Sequence, residues 1–162
     1  MNEKSKKIGG GLFIGETTKE GFYEKAKNRK LIFMQPTAIY DRELALSVGG
    51  YVVDGYPEGK PRYRDYCEDL DLWTRMSDLY TQGKAIIVVP EVLCKYRKIG
   101  NGLSANSFNM ILKMRYTKKN LLLRRSGKKE LTFIEFYDSL SAKEIKGLKR
   151  DAKAADAAAA SL

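Results

Sequence analysis

The segment Glu68–Gln82 constrains the fold of this 162-residue chain most, because it predicts an amphipathic helix with one apolar face. Its large apolar side chains recur at helical spacing, at Leu70, Trp73, Met76, Leu79 and Tyr80. Gly83 ends the helix, and the β-branched run Ala85–Val89 that follows predicts a short buried strand. Pro90 breaks this strand, and a second strand is expected at Val92–Arg97. A helix followed by two strands favours a mixed α/β layer over a helical bundle.

Two short helices are predicted upstream, each from a capping residue at its start. Residues 17–28 predict the first helix, with Thr17 or Thr18 as its N-cap. Asp41 is a good N-cap for the second helix, which covers the sequence DRELALSV. Gly49–Gly50 ends that helix, because glycine adopts the left-handed backbone conformation at little cost.

The segments around these helices predict extended chain and a long loop. Leu31–Met34 and Thr37–Tyr40 predict two short extended pieces divided by Pro36. Residues 51–66 are rich in Gly, Pro, Tyr and Arg and predict a long loop. Long loops inside compact domains are often functional, so this loop is a candidate binding region.

The chain becomes basic and helical after Ser104. Residues 104–125 have helical periodicity, and residues 113–129 contain eight Lys or Arg and no Asp or Glu. A short amphipathic piece is expected at 132–140. Ser141–Glu144 is a capping box that opens a last helix, which continues into an Ala-rich tail.

The chain has no histidine, and this absence excludes several classes of enzyme chemistry. Ser-His-Asp and Cys-His nucleophile pairs are excluded, and so are His-ligated zinc and haem iron. Acid–base catalysis would fall to Asp, Glu, Lys, Tyr or Cys. The chain has 30 Lys and Arg against 20 Asp and Glu, a formal net charge of +10. Such a charge suits phosphates, nucleic acid or an anionic membrane, and it suits a plain solvated surface equally well.

The cysteines and the N-terminal sequence bear on the compartment. Cys67 and Cys94 make neither a disulfide framework nor a CxxC motif. The N-terminal sequence MNEKSKKIGGG has no apolar core, so no secretory signal is visible, and no apolar run is long enough to span a membrane. We expect a cytoplasmic protein, with peripheral attachment to the inner face of the membrane as an open alternative.

Three segments, in this order, resemble the family-two inverting glycosyltransferases, which have the GT-A type fold. EDLDLWTRM at 68–76 is similar to the family's ED-x-D/E-L-W-x-R segment. PTAIYDRE at 36–43 and VGGY at 48–51 are similar to the strand, short helix and Gly-Gly-aromatic turn that precede the acidic pair. VPEVLCKYR at 89–97, followed by Leu103 and Ser104, resembles the family's strand with Y-R-x-H-x-x-S-x-S. The likeness covers residues 31–110.

The resemblance implies a fold and a division of the chain. Residues 17–104 would form a partial GT-A-like mixed sheet with flanking helices, an α/β domain that matches the C-terminal half of the family's domain. Residues 1–16 would be a basic, Gly-rich N-terminal segment, and residues 105–162 a basic helical extension with an Ala-rich tail.

The resemblance also implies transfer of a sugar from a nucleotide-diphosphate donor to an acceptor hydroxyl, with inversion at the anomeric carbon. Asp69 matches the family's general base, and Glu68 would support it by hydrogen bonding or by orienting the acceptor. Arg97 matches an Arg near the donor's diphosphate, where a guanidinium offsets leaving-group charge. A solvated Arg at the end of a strand is the competing interpretation of Arg97.

The remaining candidate residues belong to the acceptor side. Arg62, Tyr63 and Arg64 lie in what would be the acceptor loop, with plain exposed loop charge as the alternative. Trp73 is a candidate acceptor contact, although a Trp at this position of an amphipathic helix is also expected to pack the helix against the sheet.

Two departures from the family limit what this chain can do alone. These residues lack the family's P-x-Y-N strand and its nucleotide-binding acids. They also lack its metal-binding D-x-D, because the one similar string, Asp69-Leu70-Asp71, lies inside another motif. Ile99 stands where the motif has histidine. We therefore expect no cofactor in this chain, with Mg or Mn needed only by a complete parent enzyme, and negligible turnover by the chain alone. The nucleotide sugar and a saccharide or lipid-linked acceptor would be partners of that complete enzyme.

Two other hypotheses stay open. The first is a non-enzymatic basic module, in which residues 113–129, with Tyr116 among them, lie on nucleic-acid phosphates or on an anionic bilayer with Leu121–Leu123 turned inward. Nucleic acid is the less favoured partner, because the chain has no RNP1, zinc-finger or GXXG signature. The second is a truncated product that folds through a partner chain, and exposed edge strands would then favour a homo-oligomer.

Overall fold

The computed structural model describes residues 15–28, 37–51, 67–95 and 107–160. These residues form helices joined by turns and coil, and no β-strand occurs among them. The chain divides into two units, which are described separately below. Unit one contains the described residues 15–28, 37–51 and 69–95, and unit two contains 67–68 and 107–160.

The helices of unit one match the sequence predictions closely. They are α1 (Lys19–Lys27), α2 (Arg42–Ser47) and α3 (Glu68–Ser77), whose first residue falls just before the boundary of the unit. A 3₁₀ turn, Asp78–Gln82, continues α3 and ends at Gly83, which has φ +74°. The single long helix expected at 68–82 is therefore an α-helix with a tightened last turn.

The predicted caps explain where α1 and α2 begin and end. The Thr18 side chain accepts a hydrogen bond from the Gly21 N–H (3.1 Å), which confirms one of the two expected caps of α1. One carboxylate oxygen of Asp41 accepts bonds from the first N–H groups of α2 (2.8 and 3.1 Å). Gly49 and Gly50, at φ +92° and +62°, return their N–H groups to the last carbonyls of α2. This is a Schellman termination, and it confirms the predicted glycine stop.

The core of unit one lies between α2 and α3. Its buried side chains are Ala45, Leu72, Trp73 and Met76. Leu44, Val48 and Ile86 pack around them and are partly buried. The apolar stripe that the sequence placed on α3 is thus the face that unit one buries.

The expected α/β architecture with a GT-A-like mixed sheet is wrong for the part of the chain that the structure describes. Thr37–Tyr40, Ala85–Val89 and residues 92–95 are coil. Residues 31–34 and 96–97, which complete the predicted strands, lie outside the described residues.

The failure of the Ala85–Val89 prediction has a physical reason. A strand is stabilised by a ladder of backbone hydrogen bonds to a neighbouring strand. Within the described ranges this run makes one backbone hydrogen bond, from the Val88 N–H to the Glu16 carbonyl (2.7 Å). Ile86 packs on the core, but Ile87 and Val89 are about half exposed. β-Branched composition favours an extended backbone without supplying the pairing partner that a sheet needs.

The described residues 107–160 of unit two form three helices around an aromatic core. Its helices are α4 (Ser107–Arg124), α5 (Phe133–Asp138) and α6 (Ala142–Ala160). α4 and α6 pack along each other. The buried core residues are Leu112, Tyr116, Phe133, Phe136 and Leu148. The helical extension predicted for this region is confirmed for the described residues.

Capping and one buried amide organise the connections of unit two. Ser141 and Glu144 form the predicted capping box of α6. The Glu144 carboxylate accepts a hydrogen bond from the Ser141 N–H (2.8 Å), and the Ser141 hydroxyl oxygen accepts one from the Glu144 N–H (3.3 Å). A second capping box, between Thr132 and Glu135, opens α5. The buried Asn120 amide bonds both backbone groups of Leu131 (2.9 and 3.0 Å), so it fixes the chain between α4 and α5.

Candidate functional site

The most constrained polar group of unit one is the guanidinium of Arg75, which joins α3 to the Gly49–Gly50 turn. It donates to the Val48 carbonyl oxygen and to the Gly50 carbonyl oxygen (2.6 Å). It also bonds one Asp71 carboxylate oxygen through two nitrogens, at 2.7 and 3.0 Å. The Arg75 side chain is only 11% exposed and that of Asp71 19%. Charge-assisted bonds in so protected a position hold the turn firmly against the helix.

This clamp has a simple local origin. Asp71 and Arg75 are four residues apart, so they lie on the same face of α3. The Schellman termination of α2 turns the Val48 and Gly50 carbonyl oxygens out of the helix, where they need a donor. Arg75 satisfies both of them, and Asp71 balances its charge.

Asp69, the predicted base, lies in the first turn of α3. One of its carboxylate oxygens accepts a hydrogen bond from the Leu70 N–H (2.7 Å), and the residue is partly buried. Glu68, the predicted supporting acid, is the first residue of the helix and is exposed. Both carboxylates lie at the N-terminal end of α3, where the partial positive charge of the helix dipole attracts an anionic group.

Cys67 precedes the helix with a left-handed backbone. Its φ is +59°, and it is the one non-glycine residue with positive φ among the described residues. This conformation is costly for a side chain with a Cβ atom. It sets the direction in which the chain enters the helix that bears the two acids.

Trp73 lies in the core of unit one. Its side chain is 4% exposed, and its ring meets the Tyr40 ring edge-on with 4.8 Å between centroids. Tyr40 belongs to the segment upstream of α2 that the sequence predicted to be extended. The indole therefore packs α3 against this coil segment and not against the predicted sheet, and little of its surface is left for an acceptor.

The other predicted site residues lie outside the described residues. These are Arg62, Tyr63 and Arg64 of the acceptor loop, Arg97 of the proposed diphosphate contact, and Ile99 at the family's histidine position. Their roles stay predictions. Among the described residues the structure brings together α3, the Gly-Gly turn and the segment before α2.

The basic segment 113–129 is divided between core and surface. Lys113 is buried, with its Nζ 4.4 Å from the centroid of the Phe133 ring, a cation–π contact. Arg115 pairs with Asp151 and Arg124 with Glu130, each at 3.1 Å.

Leu121 is fully buried in unit two. The version of the membrane hypothesis that inserts Leu121 into a bilayer is therefore wrong, because that side chain is already a core residue.

The sequence interpretation assigned no role to Arg75. The signal was present, because an acid and an arginine four residues apart on a predicted helix indicate an ion pair. The two carbonyl partners were not foreseeable, since they depend on how the Gly-Gly turn folds back.

No three His, Cys, Asp or Glu side chains among the described residues are grouped in a way that would hold a metal ion. No helix in the described ranges combines the length and the hydrophobicity that are needed to cross a bilayer.

Comparison with known proteins gives no relative for this chain. No protein-family model, curated protein or solved structure matches it. A functional assignment therefore depends on the residues and contacts described above.

Proposed function

We propose that unit one supplies the acceptor-side base of a glycosyl transfer reaction, with Asp69 as that base. A carboxylate oxygen of Asp69 takes the proton of an acceptor hydroxyl while the hydroxyl oxygen attacks the anomeric carbon of a nucleotide-diphosphate sugar. The new bond forms as the bond to the diphosphate breaks, and the diphosphate leaves with the electron pair. Attack on the face opposite the leaving group inverts the anomeric carbon.

The observation that carries this proposal is the Arg75 clamp. The two most characteristic segments of the glycosyltransferase resemblance, VGGY and EDLDLWTRM, are separated along the chain and contact each other directly through Arg75. The same helix begins with the two acids. A clamp of this kind holds the first turn of α3 in a fixed position relative to residues 48–51, and a general base needs such fixed geometry.

Glu68 has a secondary role in the proposal. Its carboxylate is adjacent in sequence to that of Asp69 and is exposed, so it is accessible to an acceptor hydroxyl group. Orienting the acceptor through a hydrogen bond is the contribution that suits an exposed acid beside the base.

The proposal requires a donor-binding part that these residues do not contribute. The sequence contains none of the family's nucleotide-binding or D-x-D segments, so the nucleotide sugar would be held by another polypeptide segment. We expect residues 1–162 alone to show negligible transfer from any nucleotide sugar. Robust transfer by the purified chain would contradict the requirement for that additional part.

The test of the base is Asp69→Asn in the active protein that contains these residues. Loss of a general base typically lowers kcat by about 100- to 10,000-fold, and the amide cannot accept the proton in this way. The matched control is Asp78→Asn, in the 3₁₀ turn that follows α3, which should leave turnover close to that of the unsubstituted protein. Equal turnover of the Asp69→Asn variant and the unsubstituted protein would remove Asp69 as the base.

A further inference from the structure

Helix α6 carries a row of four exposed lysines on one face. Lys143, Lys146, Lys149 and Lys153 follow one another at intervals of three or four residues. At 1.5 Å rise per residue the row is about 15 Å long. Leu148 and Ala152, the buried residues of α6, lie on a different side of the helix from the middle of the row, and Lys149 borders Ala152.

The acids of α6 do not neutralise this row. Glu144 bonds Ser141 in the capping box, and Asp151 pairs with Arg115 of α4 and with Arg150 of its own helix. Asp156 lies beyond Lys153 and is exposed. Within the described part of the chain none of the four lysines forms an ion pair.

Folding of unit two does not account for the row. Like charges three or four residues apart destabilise a helix slightly, and these side chains add nothing to the core. The packing of α6 on α4 depends on other residues, such as Leu148. Because the row is unfavourable for the isolated helix and contributes nothing to the core, its charges are available to bind an anionic group of another molecule.

We propose that α6 docks along an anionic membrane surface through Lys143, Lys146, Lys149 and Lys153. A row of exposed lysines along one side of a helix faces a flat charged surface, and the aliphatic stems let the ammonium groups reach the lipid phosphates. The row contains no aromatic or amide side chain that would stack on a base or read its edge. This inference is independent of the glycosyl transfer proposed for unit one.

The partner follows from charge complementarity. Residues 107–160 contain thirteen Lys or Arg against six Asp or Glu, so the described part of unit two has a positive net charge. Each Lys or Arg near an anionic leaflet strengthens binding about fivefold, and salt screens this attraction. Nucleic-acid phosphates would offer the same charge, and the experiment separates the two partners.

The experiment measures cosedimentation of the full chain with vesicles of phosphatidylcholine that contain phosphatidylserine, and with vesicles of phosphatidylcholine alone. We expect binding only to the anionic vesicles, and weaker binding as salt is raised. Replacing all four lysines of the row by Gln should weaken the partition by about 600-fold. Gln is nearly as good a helix former as Lys, so the helical circular dichroism should persist.

Two matched variants remove the same number of charges elsewhere. One replaces exposed lysines of unit one, namely Lys19, Lys27, Lys84 and Lys95. The other replaces exposed lysines of the basic segment of unit two, namely Lys118, Lys119, Lys128 and Lys129. Each should weaken the partition by less than about tenfold, because these residues are not part of the row. A variant with Arg at all four positions of the row keeps the charge and should keep the binding.

Three outcomes would overturn the proposal. Equal losses in all three Gln variants would mean that net charge alone drives binding. No preference of the unsubstituted chain for anionic vesicles would remove the membrane as the partner. Tighter binding to single- or double-stranded oligonucleotides than to vesicles, at matched phosphate concentration, would assign the row to nucleic acid instead.

Discussion

In unit one a polar clamp ties α3 to the turn after α2 beside an apolar core, whereas in unit two aromatic side chains form most of the core. The Arg75 guanidinium binds two backbone carbonyls and the Asp71 carboxylate while it is almost buried. In unit two the Phe133 ring meets Tyr116 at 5.3 Å and Phe136 at 6.3 Å between centroids. The first arrangement depends on direction and charge, and the second depends on buried apolar area.

The charges of the two units differ in the same way. The described residues of unit one contain seven Lys or Arg against nine Asp or Glu, while residues 107–160 contain thirteen against six. Unit one thus has a slight excess of acids and protects the Asp71–Arg75 pair, whereas unit two exposes a row of cations on α6. Among the described residues the excess of positive charge therefore lies in unit two and is not spread evenly.

The largest effect on stability is expected from Phe133→Ala in unit two. The ring is fully buried among aromatic neighbours, and its removal leaves a cavity. We expect a loss of about 3–5 kcal/mol in the free energy of unfolding of unit two. Urea denaturation followed by circular dichroism measures it, with the exposed Ile134→Ala as the control. A loss as small as that of the control would contradict the aromatic core.

The next effect is expected from Arg75→Met, which keeps the aliphatic stem and removes the guanidinium. The change leaves Asp71 and two carbonyl oxygens without their donor, so we expect a loss of about 2–3 kcal/mol in unit one. Arg115→Met in unit two removes an ion pair whose side chains are 51% and 36% exposed, and should cost no more than about 1 kcal/mol. Amide hydrogen exchange of α2 and of α4 measures the two losses. Equal losses would show that burial of the clamp has no energetic consequence.

A smaller effect is expected from Asp41→Ala at the start of α2. The substitution removes the acceptor of two N–H groups and should cost about 1 kcal/mol. Asp41→Asn is the matched control, because an Asn side chain caps a helix nearly as well. The measurement is the exchange rate of the amide hydrogens of α2. Identical exchange in both variants would show that this cap contributes little.

The smallest effect concerns pH and the capping box of α6. The pKa of Glu144 lies below 4.5 because of its hydrogen bonds to the Ser141 side chain and backbone, with smaller contributions from Arg115 and Lys119. A lowered folded-state pKa means that this carboxylate stabilises the fold above the unfolded pKa, and that the contribution is lost as pH falls through the folded pKa. Ser141→Ala should therefore raise the pKa of Glu144, as measured by NMR titration of its side chain. An unchanged pKa would contradict the role of the Ser141 hydroxyl.

The helices and their ends were predictable because their signals are local. Thr18, Asp41 and the Ser141–Glu144 capping box each specify a helix start through a side chain that reaches a backbone N–H within three residues. Gly49–Gly50 and Gly83 specify helix ends, because few other residues adopt positive φ cheaply. The apolar stripe on α3 predicted its buried face for the same local reason.

The sheet and most of the candidate site were not predictable in this way. Ala85–Val89 has strand composition, but pairing depends on a second segment that the run itself does not specify. The partners of Arg75 depend on how the turn after α2 approaches α3. Of the proposed catalytic residues, Asp69 and Glu68 were placed correctly at the start of a helix, because helix starts are local.

The sequence by itself indicated how α1, α2 and α6 begin and where α2 ends, that this chain has no histidine, and which acids open α3. Only the tertiary structure decided that the β-branched run stays coil, that Trp73 and Leu121 are core residues, and that Arg75 joins the Gly-Gly turn to α3. The physical reason is the distance along the sequence over which each effect acts. Caps, periodicity and composition act within a few residues, whereas pairing and burial depend on segments that are distant in sequence.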